Sequence, residues 1–251
     1  MKPAIRNELQ KLMLYKKYTV LLILGVILGL AWTLTGRLMA LTLNAFAGTG
    51  FLWDFNSVPT SSLSMFSQLY LPLMIFMAVT DLFAGEYSDQ TIRSSLMRPI
   101  TRLKLYTAKL TAVMIYIAGF LGVVFAVNMI AGLIVGGVDS IWVVARSLTA
   151  FVMTLVPLAV LACFAALAAQ VIKSGSLLMF SMIASLLLLK ALPLLLPVTR
   201  NMLFTDFMGW YRMFTGTLPA PSVLIPASLI LLGSGAVFYL AGTMAFDRKD
   251  F

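Results

Sequence analysis

Leu110-Thr-Ala-Val-Met-Ile-Tyr-Ile-Ala-Gly-Phe-Leu-Gly-Val-Val-Phe-Ala-Val-Asn-Met-Ile-Ala-Gly-Leu-Ile-Val-Gly-Gly-Val138 runs for 29 residues between Lys109 and Asp139 without a charge. At about 1.5 Å per residue, such a helix more than crosses the roughly 30 Å hydrocarbon core of a bilayer. A barrel strand would need only roughly 10 residues of alternating polarity, and this run does not alternate. The same count elsewhere gives 19 uncharged residues between Lys17 and Arg37, and 26 between Asp54 and Asp81. It gives 26 between Arg146 and Lys173, 34 between Arg212 and Asp247, and a stretch from Ser174 to Val198 broken only by Lys190. The pattern predicts an all-α polytopic membrane protein with six helices near 18–38, 62–84, 105–135, 142–170, 175–197 and 221–245. Residues 18–245 are then one six-helix transmembrane domain, preceded by residues 1–17 and followed by a short tail at 246–251.

Composition agrees. Of 251 residues 61% are hydrophobic and 11% charged, and the mean hydropathy is +0.99; an average soluble domain carries about 25% charged residues. Histidine is absent and Cys163 is the single cysteine. That excludes an internal disulfide, thiolate or imidazole zinc chemistry, and any mechanism built on a histidine base. The net charge of +9 reads as lysine and arginine kept on the cytoplasmic side rather than as a nucleic-acid footprint. With six spans both termini share a side. Placing that side in the cytoplasm puts 13 of the 18 basic residues inside and leaves Arg37, Arg146, Lys190, Arg200 and Arg212 outside. The expectation is a multi-pass protein of the bacterial cytoplasmic membrane with both termini cytoplasmic. The first apolar stretch is too long for a signal-peptide core, and the cleavage-like Ala45-Phe-Ala47 lies well past its end, so it reads as a retained span.

Ahead of that span, Ile5, Leu9, Leu12 and Met13 follow the spacing of one helix face, with Lys2, Arg6, Lys11 and Lys17 around it. This predicts an amphipathic helix on the inner membrane surface, drawn to anionic lipid headgroups; an undocked basic tail is the simpler alternative. Gly25/Gly29 and Gly132/Gly136 are spaced for close helix approach in lipid. Asp81, at the inner end of the second span, is expected to pair with Arg93 or Lys109. Lys190, roughly two turns from the outer end of the fifth span, either snorkels to outer headgroups or lines an outer vestibule. Arg37 and Arg146 sit at outer span ends and carry the same two readings. Pro157 is expected to kink the fourth span. The outer segment 199–219 concentrates Phe204, Phe207, Trp210, Tyr211 and Phe214, as an interfacial belt does.

The longest polar stretch, Asp81 to Lys109, joins the second and third spans on the inner side. Ser88 can cap a short helix, Asp89 stands four residues before Arg93 in the favourable orientation, and Ile92 and Leu96 share a face ended by Pro99. An amphipathic helix hung just below the membrane suits a groove on a soluble partner; an ordinary solvated loop is the alternative. The run Phe83-Ala84-Gly85-Glu86-Tyr87, then Thr91-Ile92-Arg93, Leu96, Arg98-Pro99, Arg102, Leu105-Tyr106 and Lys109, resembles the ABC-2 type permeases, membrane subunits of bacterial ATP-binding-cassette exporters. It differs at Gln90, where members commonly carry glycine.

The resemblance implies a half-transporter: two permease chains, identical or homologous, with two separate ATPase subunits docked beneath. It implies a coupling helix near Ser88–Leu96, with Tyr87, Asp89, Gln90, Thr91, Ile92 and Arg93 at the ATPase. It further implies a connecting helix at the N-terminus, Glu86 in a polar relay, and an outer re-entrant hairpin carrying the aromatics of 204–214. No Gly-x-x-x-x-Gly-Lys-Ser/Thr loop occurs in the chain, so ATP and magnesium would belong to the partner and this chain would hold no cofactor. The expected function is export of an amphipathic or lipophilic substrate such as a peptide, antibiotic or lipid-like compound. An intramembrane enzyme lacks its histidines and paired acids. A secondary transporter or channel would place ionisable groups at mid-bilayer, whereas these charges cluster at span ends.

Overall fold

The computed structural model describes residues 2–47, 58–86, 101–135, 140–199, 201–215 and 221–248. It is helical throughout, as a chain in lipid must be when each backbone N–H and C=O has to find its partner within the segment. Helix α1 (Lys2–Leu14) is separated by a bend at Tyr15 from α2 (Lys16–Ala47). Tyr18 N–H donates to the Tyr15 carbonyl at 3.0 Å, which closes that bend. The second span, Ser62–Gly85, is composite. It contains α3 (Val58–Met65), a π turn at Phe66–Tyr70, α4 (Leu71–Val79) and a second π turn at Thr80–Gly85.

Four long helices follow: α5 (Arg102–Val135), α6 (Ile141–Val171), α7 (Gly175–Leu195) and α8 (Pro221–Asp247). Six helices are thus long and apolar enough to cross a membrane. Ser140 caps α6, its hydroxyl accepting from Trp142 N–H at 3.2 Å. Pro157 and Pro193 lie inside α6 and α7.

Helix α6 is the hub. Ala162, Ala165, Ala166 and Ala169 are all buried along it, a small-residue face that lets neighbouring backbones approach. It packs against α4, α5, α8 and the outer aromatic segment. By contrast α2, α7 and α8 leave most of their apolar surface uncovered, as lipid-facing helices do. Gly25 faces inward, not to another chain: a Cβ there would meet the Phe120 ring at 2.5 Å. Gly29 faces Asn128, so this glycine pair seats α2 on α5 within the molecule. Nothing stands within 4 Å of Gly132, and Gly136 lies outside the described residues.

Two 3₁₀ segments, Pro197–Thr199 and Phe204–Phe214, follow α7. Phe204, Phe207, Trp210 and Tyr211 are buried, chiefly against α6, while Phe214 is half-buried. The Phe204 ring lies 5.7 Å from Phe164 of α6 and 5.6 Å from Phe238 of α8. From Ile141 to Phe164 is about 35 Å of helix, and from Pro221 to Phe238 about 26 Å. Phe204 therefore lies nearer the C-terminal ends of those two helices than their N-terminal ends. Farther along, a Cβ on Gly209 would lie 3.9 Å from Gln68, which is about 9 Å from the N-terminal end of the second span.

Candidate functional site: an ionic knot joining α1, the second span and α5

Helix α1 docks through Ala4, Glu8 and Leu12, which repeat every four residues and are all buried. Its partner is the start of α5. Ile5 and Leu9 flank this stripe half-buried. Met13 is 65% exposed. The docking stripe is a single i, i+4 row and Met13 is turned about 100° from Leu12, so Met13 stays free of α5.

An acid in the middle of a buried stripe needs a partner, since an unpaired buried charge is costly. Glu8 has two. Lys11 Nζ lies 3.1 Å from its Oε1 and Lys109 Nζ 3.3 Å from its Oε2. Both lysines also reach Glu86, which follows the second π turn: Lys11 at 2.7 Å and Lys109 at 2.8 Å. The knot holds two carboxylates and two ammonium groups, so its net charge is zero.

Lys109 is 0% exposed, and an ammonium has three protons to place. Besides the two carboxylates, it donates to the Leu82 carbonyl at 2.7 Å. Glu86 N–H, the α-helical donor for that carbonyl, turns to Phe83 O instead. The ammonium also stands 5.7 Å over the Phe83 ring, a favourable placement for a cation. Burial alone would raise the Glu86 pKa, but the charge and hydrogen bond of Lys109, with that of Lys11, outweigh it and hold the carboxyl below its ordinary range. For Lys11 burial opposes the charge, and Glu86 and Glu8 more than compensate, so its pKa is raised.

Beside the knot, Asp81 pairs with Lys17 at 2.5 Å and accepts from the Tyr18 hydroxyl. The expected partner, Lys109, is committed to Glu8 and Glu86, and Arg93 lies outside the described residues. Tyr116 of α5 donates to the Tyr18 carbonyl at 3.1 Å, and the Tyr70 hydroxyl to that of Leu21. The first turns of α2 are thus tied to both neighbouring spans. Of the residues implied for ATPase coupling, Glu86 is in the knot; Tyr87, Ser88, Asp89, Gln90, Thr91, Ile92, Arg93 and Leu96 lie outside the described residues. Glu8 was not singled out from sequence. Its signal was there: an acid four residues from Ala4 and from Leu12.

At the outer end, Lys190 does not reach for the surface. Its ammonium donates to the backbone carbonyl of Gln68 at 2.6 Å and to Gln68 Oε1 at 2.8 Å. Pro72, four residues after Gln68, has no N–H for that carbonyl, and the lysine takes the vacant position. Arg146 is exposed, and the Arg37 side chain lies outside the described residues. No group of three or more metal-ligating side chains occurs among the described residues.

A family model, described as ABC-2 family transporter protein, matches residues 4–190. The match takes in most of α1, all four residues of the knot, the first four spans and most of the fifth. The chain belongs to the ABC-2 transporter family. It is an ABC transporter permease, a multi-pass membrane component that is not itself an ATPase, and permeases of this family work with an ABC ATPase partner. No curated protein matches the chain. Within an ABC-2 permease the knot has a plain structural meaning: Glu86 directly follows the second span, Ser62–Gly85, and is tied there to α1 and α5.

Proposed function

We propose that this permease is the membrane half of an ATP-driven exporter that moves an amphipathic or lipophilic substrate (peptide, antibiotic or lipid-like) out of the bacterial cytoplasm. Two such chains, identical or homologous, pair in the cytoplasmic membrane over two ATPases that hold magnesium and ATP, and both termini face the cytoplasm. The Ser88–Leu96 segment enters the ATPase, and α1 lies beside it as the connecting helix.

The knot is the observation that carries this reading. Glu86 adjoins the segment that would meet the ATPase, and Lys109 and Lys11 bind it to α1 and α5 at 2.7 to 2.8 Å. A displacement of residues 87–100 would therefore pull on three elements together. Buried and paired with two lysines, the joint is stiff where an exposed ion pair would slip.

Two features support a lipophilic cargo. An apolar groove of about 510 Å³ opens between α5, α6 and α8, lined by residues such as Met114, Val156, Val160, Leu231 and Tyr239. The Phe164–Phe204–Phe238 ring cluster stands close by, with centroids 5.2 to 5.7 Å apart, and supports a re-entrant segment that blocks the pathway until the ATPases close.

The test is co-expression with an ABC ATPase partner, sought first in the neighbouring reading frame. The purified complex should hold two of each subunit, and export of a lipophilic dye from inverted vesicles should require hydrolysable ATP. In a Cys163→Ala background, Ser95→Cys should be labelled only from the cytoplasmic side and Met202→Cys from outside. Labelling of position 95 from outside, or flux without ATP, would refute the reading.

A further inference from the structure

The outer end of the bundle holds more donors than acceptors. Lys190 binds only the neutral oxygens of Gln68, and no carboxylate lies within 4 Å of it among the described residues. Arg212 is likewise without an acid; its Nε stands 3.5 Å from the Tyr211 hydroxyl. The acid nearest in sequence, Asp206, is occupied at the start of its own 3₁₀ segment, accepting from Leu203 N–H at 3.4 Å. Gln68 Nε2 and Arg212 Nε each lie 3.9 Å from the point where a Gly209 Cβ would sit. The Gln68 amide is thus held by Lys190 on its oxygen, and its nitrogen and Arg212 Nε both border Gly209. Trp210, one residue from Gly209 and 6% exposed, has a buried Nε1–H with no acceptor among the described residues.

Two cations, an amide N–H₂ and a spare indole N–H, with no acidic acceptor on them among the described residues, form the complement of an anion. Position narrows its kind. Lys190 is five residues from the end of α7, about 8 Å of helix, and its neighbours Leu187, Leu188, Leu194 and Leu195 are exposed on the same helix. An anion that reaches these donors beside a bare leucine surface carries apolar chains. We propose that Lys190, Arg212 and Gln68 form an outer-leaflet site for the phosphate headgroup of a membrane amphiphile. Its place in the outer leaflet rests on the topology proposed above; the donors themselves need neither ATP nor the inner knot.

Trp210 provides a local reporter. With Trp32, Trp53 and Trp142 replaced by Phe, the full chain is placed in nanodiscs of phosphatidylcholine mixed with brominated phosphatidylglycerol or brominated phosphatidylcholine. Quenching of Trp210 should favour the anionic lipid by about 3- to 10-fold, the span that one or two partly screened ion pairs supply. Lys190→Gln with Arg212→Gln should bring the ratio close to one, whereas Lys190→Arg, which keeps the charge, should preserve most of it. Arg212→Gln alone removes a largely exposed side chain, so it folds even if the double variant does not, and it should cut the preference at least twofold. Millimolar inorganic phosphate separates the sources: a lipid site keeps its preference, while loss of it would assign the donors to free phosphate instead. Equal quenching by the two lipids, or a preference unchanged in Arg212→Gln, overturns the proposal.

Discussion

Replacing Lys109 by methionine removes the most deeply buried charge of the inner knot and leaves Glu8 and Glu86 facing each other with Lys11 alone between them. Lys11 is about one-third exposed at its side chain, and an ion pair so placed contributes at most about 1 kcal/mol. It cannot hold two carboxylates. Taking one partner from a buried pair costs about 3–5 kcal/mol, and here the Leu82 carbonyl loses its donor as well. The weakest attachment is the one that yields: α1 is 13 residues long and held by a single stripe, so it should lift from α5 while the spans stay folded. Ala4→Cys in a Cys163→Ala background reports that event, because Ala4 is 7% exposed when docked. At about 1.4 kcal/mol per tenfold, its labelling should rise about 100- to 4,000-fold in Lys109→Met. Adding Glu8→Gln restores a balance of one lysine to one glutamate and should return much of the protection. Lys11→Met should raise labelling by less than about tenfold. A Lys109→Met protein that expresses normally and labels at the parent rate would refute the claim that this ammonium holds α1 in place.

The pH behaviour of the same knot follows from its two shifted groups. Glu86 is held below its ordinary value of 4.5, so its stabilisation is present above that value and is lost as pH falls through the lowered one. Lys11 is raised above 10.5, so its share is intact below that value and lost only above the raised one; Ala4→Cys labelling, taken relative to an exposed reference cysteine to cancel the thiolate's own pH dependence, should be flat across neutral pH and climb at both extremes. Gly25→Val should lower thermal stability by about 1–3 kcal/mol, because its Cβ would overlap the Phe120 ring, while Gly29→Ala, with 3.5 Å to its neighbours, should melt near the parent temperature. Ile92→Asp, under the coupling proposal, should weaken ATPase pull-down by about 30- to 700-fold through about 2–4 kcal/mol of lost docking with normal insertion, and full export by that variant would end the proposal.

The spans were legible because charges punctuate them: six apolar runs between charges are six helices long enough to cross a membrane. The membership in the ABC-2 family was legible too, in the residues from Phe83 to Lys109. What the sequence hid is which side chain meets which. Asp81 had several bases within reach along the chain, and the pairing with Lys17 depends on the bend at Tyr15, which swings the start of α2 beside the second span. Met13 satisfied the helical spacing, but the stripe that docks is narrower than the apolar face that spacing allows. Glu8 was hidden by its type, since an acid among lysines reads as surface until the helix is packed. Lys190 was singled out for its depth alone. Its partner is 122 residues away and is a backbone atom, for which side-chain patterns carry no signal.

That backbone atom has a counterpart, and the two together say how the second span is held. At its inner end the π turn releases the Leu82 carbonyl to Lys109; at its outer end Pro72 releases the Gln68 carbonyl to Lys190. In lipid a released carbonyl must find a donor, so each irregularity demands a lysine from a neighbouring span. If this account is right, the two residues at the outer end are coupled. Lys190→Met leaves the Gln68 carbonyl without its donor and should cost about 1–3 kcal/mol. In a Pro72→Ala background the backbone N–H gained at position 72 can supply that bond from within the helix, and the same Lys190→Met change should cost less by about 1 kcal/mol. Thermal unfolding of the four proteins in detergent closes the cycle. Costs that agree within about 0.5 kcal/mol, the scatter expected of independent sites, would mean that the lysine answers the Gln68 side chain alone and that Pro72 has no part in placing it.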